Sequence, residues 1–451
     1  MGSMSRLAAW SRLALGCGLA LAVAVAGAQP VAAPATGAAA PVSPSAQRLY
    51  ERARGQLVQV RTLLKGQDSQ ASVGSGFVVG DDGLIVTNYH VVSQLALQPE
   101  RYRLVYTRVD GREGALQLLG FDAVHDLALV RPAPGGATAA AGGVPLAFRP
   151  VAEALAQGER IYALGNPLDV GFAVMEGNYN GLVERSFHPS IFFGGALSSG
   201  MSGGPALDEA GRVIGVNVAT RRDGQQVSFL VPARYAQALV ERARTAVPIT
   251  MPVYAELTAQ LMEHQEQVTQ RFLAQPWRSA GHPRYAIPVP QESFMRCWGR
   301  STSADTKGLE FERSDCEMDH QVFVSGALST GTLAVRHEAY DGRRLGMLRF
   351  TERYSRSFRN EGFGRGNRRE YTAPQCAERF VEQAGLPLRA VLCLSAYKRL
   401  AGLYDLSVLV ATLDQPEIGA QGRIDARGVS FDNAMKLAEH YLQGYGLRAA
   451  P

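Results

Sequence analysis

Cysteine is scarce in this chain, 5 among 451 residues, with no C-x-x-C pair and no histidines clustered beside them. A cysteine-ligated zinc framework therefore has no support. The H-E-x-x-H pattern is missing as well, because His337-Glu338 and Glu263-His264 each lack the second histidine. No metal and no cofactor are expected. Net charge is also small, +5, so the overall balance does not mark nucleic acid or an anionic membrane as a main partner. The most basic local string, Arg359 to Arg369, reads as a solvated loop rather than a nucleic-acid contact. No internal repeat appears. What the chain has in quantity is apolar material, 46% of it, enough for a large core and two or three domains.

The one long apolar run, Leu13 to Ala26, follows Arg6 and Arg12 and ends at Ala26-Gly27-Ala28 before Gln29. That is the layout of a cleavable secretory signal, and the run is short for a bilayer span of about 20 residues. Export to the periplasm or the extracellular space is expected, with no stable membrane span once the signal is removed. A lipoprotein reading at Cys17 fails because Arg12 stands too close for a full hydrophobic region. Removal of residues 1–28 leaves Cys297, Cys316, Cys376 and Cys393. In an exported chain, two disulfides are the default. Three connectivities are open, of which Cys297 with Cys316 and Cys376 with Cys393 closes the shortest loops.

Residues 29–45 are mostly Ala, Pro, Thr, Gly and Ser and read as a flexible spacer; Ser45 is placed to cap a short helix through Leu49 and Ala53. From 46 to 246, short apolar runs such as Leu57–Leu63, Leu127–Val130 and Val213–Val218 alternate with turn residues. This is the pattern of an all-β sandwich or barrel. Helical spacing takes over across 247–282, the expected bridge. Residues 283–451 then mix strand-like runs, Leu345–Phe350 among them, with two helices, one from about Pro374 to Gly385 and one capped by Ser430. The expectation is a smaller α+β domain stapled by cysteines.

Three segments carry chemistry. His90 lies in Thr-Asn-Tyr-His-Val-Val, Asp126 opens the run Leu-Ala-Leu-Val, and Ser202 sits in Gly-Met-Ser-Gly-Gly-Pro. A serine hydroxyl is a poor nucleophile at neutral pH. Acyl transfer needs an imidazole to take its proton and a carboxylate to fix the imidazole's tautomer, and these residues supply one of each. The amides of Gly200 and Ser202 are the candidate oxyanion donors. Asp122 competes for the acid role but reads as a solvated turn residue, and His125 and His188 read as surface residues.

At these positions the sequence resembles the trypsin-like proteases of the chymotrypsin fold, in particular the bacterial HtrA-like branch. Gly74-Ser75-Gly76-Phe77-Val78-Val79, Asp82 to Asn88, Ala163 to Pro167 and Gly211 to Asn217 match that branch in order and context. The resemblance covers about residues 56 to 234. It implies a double β-barrel protease domain and peptide-bond cleavage through an acyl-enzyme, with a protein or peptide as partner. It also places Ala196 at the base of the S1 pocket and Asn217, Val218 and Ala219 along its wall, so that small or apolar P1 residues are expected. Residues 283–451 lack the Gly-rich carboxylate-binding loop of the PDZ domain usual in this branch, and Met201 stands where Asn is common. Two other readings remain: a protease-fold scaffold that is latent or silent, and an esterase.

Overall fold

The computed structural model describes residues 42–135, 144–183, 185–220, 228–303, 305, 306, 308–359, 363 and 367–448. The expected secretory signal, most of the expected spacer and most of the Arg359–Arg369 string lie outside these residues. The described chain opens with helix α1, Pro44–Ala53, capped by Ser43 rather than Ser45: the Ser43 side chain accepts from the Ala46 amide, and Pro44 occupies the first helical position. Proline costs nothing there because its missing N–H would have had no intrahelical partner.

Six strands follow: β1 Leu57–Leu64, β2 Gln70–Val78, β3 Ile85–Thr87, β4 Tyr102–Arg108, β5 Glu113–Asp122 and β6 Leu127–Pro132, with helix α2, Tyr89–Leu97, between β3 and β4. They close into an antiparallel barrel in the order β1-β2-β3-β6-β5-β4. A second barrel uses β7 Arg160–Gly165, β8 Ala173–Leu182, β9 Ile191–Phe193, β10 Pro205–Leu207, β11 Val213–Thr220 and β12 Ser228–Pro232, in the order β10-β11-β12-β9-β8-β7. The expected double barrel is thus present. Strands β8, β9 and β10 carried no clear periodicity. Ala173–Leu182 includes Glu176, Asn178 and Asn180, and its side chains are mostly only partly covered. Ring closure, which supplies a hydrogen-bonding partner on both sides, decides its conformation.

A core of Leu57, Phe77, Val86 and Leu129 from the first barrel and Tyr162, Leu164, Leu207 and Val216 from the second, all buried, fuses the two halves. Helices α3, Ala233–Ala243, and α4, Tyr254–Leu273, lead away from the second barrel. On α4, Leu257 and Leu261 bury against the first barrel, and Val268 and Phe272 bury against the carboxy-terminal region. Spacings of four and seven residues keep all four side chains along one stripe. The segment between 247 and 282 is therefore a packed element with a core at each end.

The carboxy-terminal region is a seven-stranded antiparallel sheet. Its order is 295–301, 310–318, 333–341, 418–430, 403–412, 386–396 and 375–383. α4 and helix α6, Phe431–Gln443, supply apolar side chains to the same core as this sheet. Ser430 caps α6 as expected, accepting from the Asn433 amide. Two local expectations fail here. The stretch from Pro374 to Gly385 is a strand, not a helix, because Ala384 and Gly385, at φ 45° and 75°, form a two-residue turn between Gln383 and Leu386. Two consecutive left-handed residues are the signature of a tight hairpin. Conversely, Leu345–Phe350 is not a strand: helix α5, Met347–Ser357, starts within it and buries Phe350 and Tyr354 one turn apart. So short an apolar run does not separate the two periods.

Disulfides join Cys297 to Cys316 and Cys376 to Cys393, each between directly paired strands. Each ties an edge strand of the sheet, which has one neighbour only, to the next strand inward. Closing loops with sequence separations of 19 and 17 stabilises the fold by about 3 kcal/mol per bond in the chain-entropy model. Reduction is expected to lower the urea midpoint of the carboxy-terminal sheet by the corresponding amount, read by circular dichroism with and without reductant. An unchanged midpoint would mean that packing alone holds the edges.

Candidate active site

His90 is the second residue of α2, where β3 ends and the buried side chains of Val91, Val92 and Ala96 hold the helix against the first barrel. Asp126 stands at the entry to β6 with φ 55°, a left-handed conformation that Asp tolerates better than most residues. Its surroundings overdetermine that geometry. The Asp126 carbonyl accepts from the Tyr89 amide at 3.2 Å and from Asn88 Nδ2 at 2.7 Å. One carboxylate oxygen accepts from the His90 amide at 2.8 Å, and the other lies 2.6 Å from His90 Nδ1. Burial pulls the His90 pKa down, but the charge of Asp126 and its hydrogen bond outweigh that and hold it above the ordinary histidine value. Asp126, not Asp122, is the partner of His90. Asp122 binds His125 instead, through the His125 amide at 3.0 Å and Nδ1 at 2.7 Å.

Ser202 comes from the second barrel, on the loop before β10. Its hydroxyl donates to the Val218 carbonyl at 2.7 Å, so its one hydrogen is turned from His90 in this form. The preceding turn is closed by the Met201 amide donating to the Ser198 carbonyl at 3.1 Å, with Gly200 at φ 92° in its third position. That is the requirement of a type II turn. The Ser199 carbonyl accepts from the Leu168 amide at 2.7 Å. Because a peptide is planar and trans, the Gly200 N–H lies on the opposite edge of that unit, away from Leu168. Gly203, at φ 84°, has no room for a side chain: a Cβ would come 2.3 Å from the Ser75 carbonyl.

Ser75, which in the sequence stands out only as part of the family-like string Gly74 to Val79, ties the Ser202 loop to the first barrel. Its amide donates to the Ser202 carbonyl at 2.7 Å, and its hydroxyl donates to the Gly200 carbonyl at 2.7 Å while accepting from the Asn166 amide at 2.9 Å. No local signal marks that role, since these partners lie 125 and 91 residues away.

The pocket residues are dispersed. Ala196 is exposed. Asn217 is fully buried, and its Nδ2 donates to the Leu164 carbonyl at 2.9 Å and the Met201 carbonyl at 3.3 Å; its side chain braces the loop. Val218 lines a cavity of about 920 Å³ shared with His90 and Asp126. The side chain of Ala219 lies outside the described residues. Phe323, from the carboxy-terminal hairpin Val322–Ser325 and Leu328–Thr330, meets the His90 ring edge-on with centroids 6.1 Å apart and lines the same cavity.

Three expectations need correction here. Asp122, His125 and His188 are not solvated surface groups. The side chains of Asp122 and His125 are each 17% exposed, because they bind one another and His125 stacks on Tyr235 at 3.7 Å between centroids. His188 packs against His125, His264 and His320. Burial first, and then the charges of neighbouring imidazoles, push His188 down to about 2 and His320 down to about 3.

Residues 74–216 match the model of the trypsin-like peptidase domain. A Synechocystis protein named as a serine protease, HhoA, is 33% identical over 177 residues, 38% of this chain and 42% of that one. A protein of Marinomonas sp. named as a periplasmic serine endoprotease, DegP-like, is 29% identical over 187 residues, 40% and 37% of the two chains. The mitochondrial serine protease HTRA2 of Drosophila pseudoobscura is 32% identical over 188 residues, 40% of each chain. The chain thus spans well under two thirds of the length of these relatives. Residues 74–216 are thus similar to trypsin-like peptidase domains, and the chain that carries them is similar to the HtrA- and DegP-like serine proteases.

Proposed function

We propose that this chain is an exported serine endopeptidase with residues 46–246 as its protease domain. Ser202 attacks the peptide carbonyl, His90 takes its proton and later protonates the leaving amine, and Asp126 holds His90 in the required tautomer. The amides of Gly200 and Ser202 receive the oxyanion. The observation that carries this reading is the doubly bound Asp126–His90 pair lining one cavity with Val218, whose carbonyl accepts from the Ser202 hydroxyl, while Leu168 pins the 199–200 peptide. Export rests on the apolar run Leu13 to Ala26 with its Ala26-Gly27-Ala28 site and on two disulfides, which persist in oxidising compartments. Cleavage after small or apolar residues rests on Ala196, which brings no carboxylate for a basic P1 side chain.

Exposure of the folded chain to a fluorophosphonate, followed by intact mass measurement, tests the assignment. One adduct is expected, on Ser202, and none in Ser202→Ala. Labelling elsewhere, or of both forms alike, would remove Ser202 from the nucleophile's role. A latent resting form is the second reading, supported by the Ser202 hydroxyl donating to Val218 and by Phe323 beside His90. Slow labelling that Phe323→Ala accelerates would favour it.

The pH profile has a defined sign. His90 works as base only when neutral, and its pKa is raised. Activity is therefore expected to fall as pH drops through a value above the usual histidine range, tenfold per unit of pH for one proton. In Asp126→Asn the raising causes vanish and burial remains, so the limb moves to lower pH. A limb that stays put would mean another group sets it.

A further inference from the structure

Outside the Ser202, His90 and Asp126 site, reactive side chains gather at the histidines. The chain has 8, and three of them converge from segments far apart in sequence. His188 sits between β8 and β9 of the second barrel, His264 on α4, and His320 just before the carboxy-terminal hairpin. One ring nitrogen from each lies within 4.8 Å of the other two. The hydrogen bonding around them is incomplete in an informative way. His264 Nε2 donates to the Gly331 carbonyl at 3.1 Å, which fixes its proton there and leaves the Nδ1 lone pair 3.1 Å from His188 Nε2. His320 Nε2 is buried and has no hydrogen-bond partner among the described residues.

Beside the three stands His125, whose ring lies 4.7 Å from that of His188. Asp122 binds its Nδ1, and its Nε2 is likewise buried and unpartnered among the described residues. Of the proposed ligands, His264 has the outer contact that orients a metal-bound histidine and raises its basicity, the Gly331 carbonyl on its Nε2. A hydrogen bond between His188 and His264 satisfies those two rings and leaves the other two nitrogens buried with nothing to accept from. One cation answers more of them at once.

We propose that His188, His264 and His320 form a divalent-metal site, selective for zinc, that joins the second barrel, α4 and the carboxy-terminal region. Zinc accepts three imidazoles with a fourth position open, at Zn–N distances of about 2.0–2.1 Å. Tetrahedral angles then set N···N separations of about 3.3 Å. The His188–His264 pair already has that spacing within a few tenths of an ångström. The widest gap closes by roughly 1.5 Å, a side-chain rotation. All three donors are nitrogen and no carboxylate oxygen is among them, which selects zinc over calcium or magnesium. His188 and His320 also line the cavity that holds His90 and Asp126, a path for the ion and for a water in the fourth position. The histidines share no local metal motif, and only the packing of three segments brings them together.

The test uses the full chain, stripped with a chelator and titrated with zinc chloride. One zinc per chain is expected by elemental analysis, with a rise in the thermal midpoint because the ion binds the folded form. His188→Ala and His320→Ala are each expected to weaken binding, measured against a chromophoric chelator, by about 100-fold or more and to abolish the thermal shift. Cobalt(II) bound to the unaltered chain supplies a readout that does not depend on the folding of either variant, the intense visible bands of a tetrahedral site. Zinc uptake far below one per chain, affinity retained in both folded variants, or a weak octahedral cobalt spectrum would each overturn the proposal.

Discussion

Asp126→Asn is expected to lower kcat/KM by about 10⁴-fold while leaving the fold intact. Asparagine tolerates the left-handed backbone that Asp126 adopts at φ 55°. Its side-chain oxygen also preserves the bond from the His90 amide, now 2.8 Å long. The other oxygen, 2.6 Å from His90 Nδ1, becomes an NH₂ group. Two donors then face one another, and the ring answers by carrying its proton on Nε2. An imidazole protonated there cannot receive the hydrogen of Ser202, and that is the whole effect. Steady-state kinetics on a peptide substrate, with circular dichroism to check folding, decide the matter. A loss under tenfold would show that Asp126 is not the group that orients His90.

The second large effect is expected at Gly200. An alanine Cβ would come 2.4 Å from the Asn166 carbonyl, and the backbone sits at φ 92°, where any L side chain is strained. The turn must open, and the Gly200 amide leaves the position set by the Ser199–Leu168 bond. Removal of one oxyanion donor costs about 10²–10³ in kcat. The loss should fall on kcat with KM little changed, since the donor acts chiefly on the transition state. A rise in KM alone would instead place Gly200 in ground-state binding.

Several parts of this molecule were legible without coordinates because they depend on residues close in sequence or on simple loop closure. The His90, Asp126 and Ser202 strings each announce a strand end or a tight turn, and their order limits the chemistry. Ser430 caps α6 through an amide three residues on. The cysteine pairs that close the shortest loops are those that form. Where local signals were ambiguous, they misled. The stretch from Pro374 to Gly385 has apolar residues compatible with either period, and a two-residue turn with positive φ at Ala384 and Gly385 made it an edge strand.

What the sequence by itself determined is the chemistry on offer: a serine, an imidazole and a carboxylate in protease order, glycines where the backbone must turn, and four cysteines in its last third. What only the tertiary structure decided is who meets whom across long separations. Ser75 clamps Gly200 from 125 residues away, and His188 reaches His264 across 76. Such contacts leave no local period or spacing in the chain. They exist because barrel closure and shared apolar cores bring distant segments to one place, and the side chains that arrive there are settled by packing rather than by their neighbours in sequence.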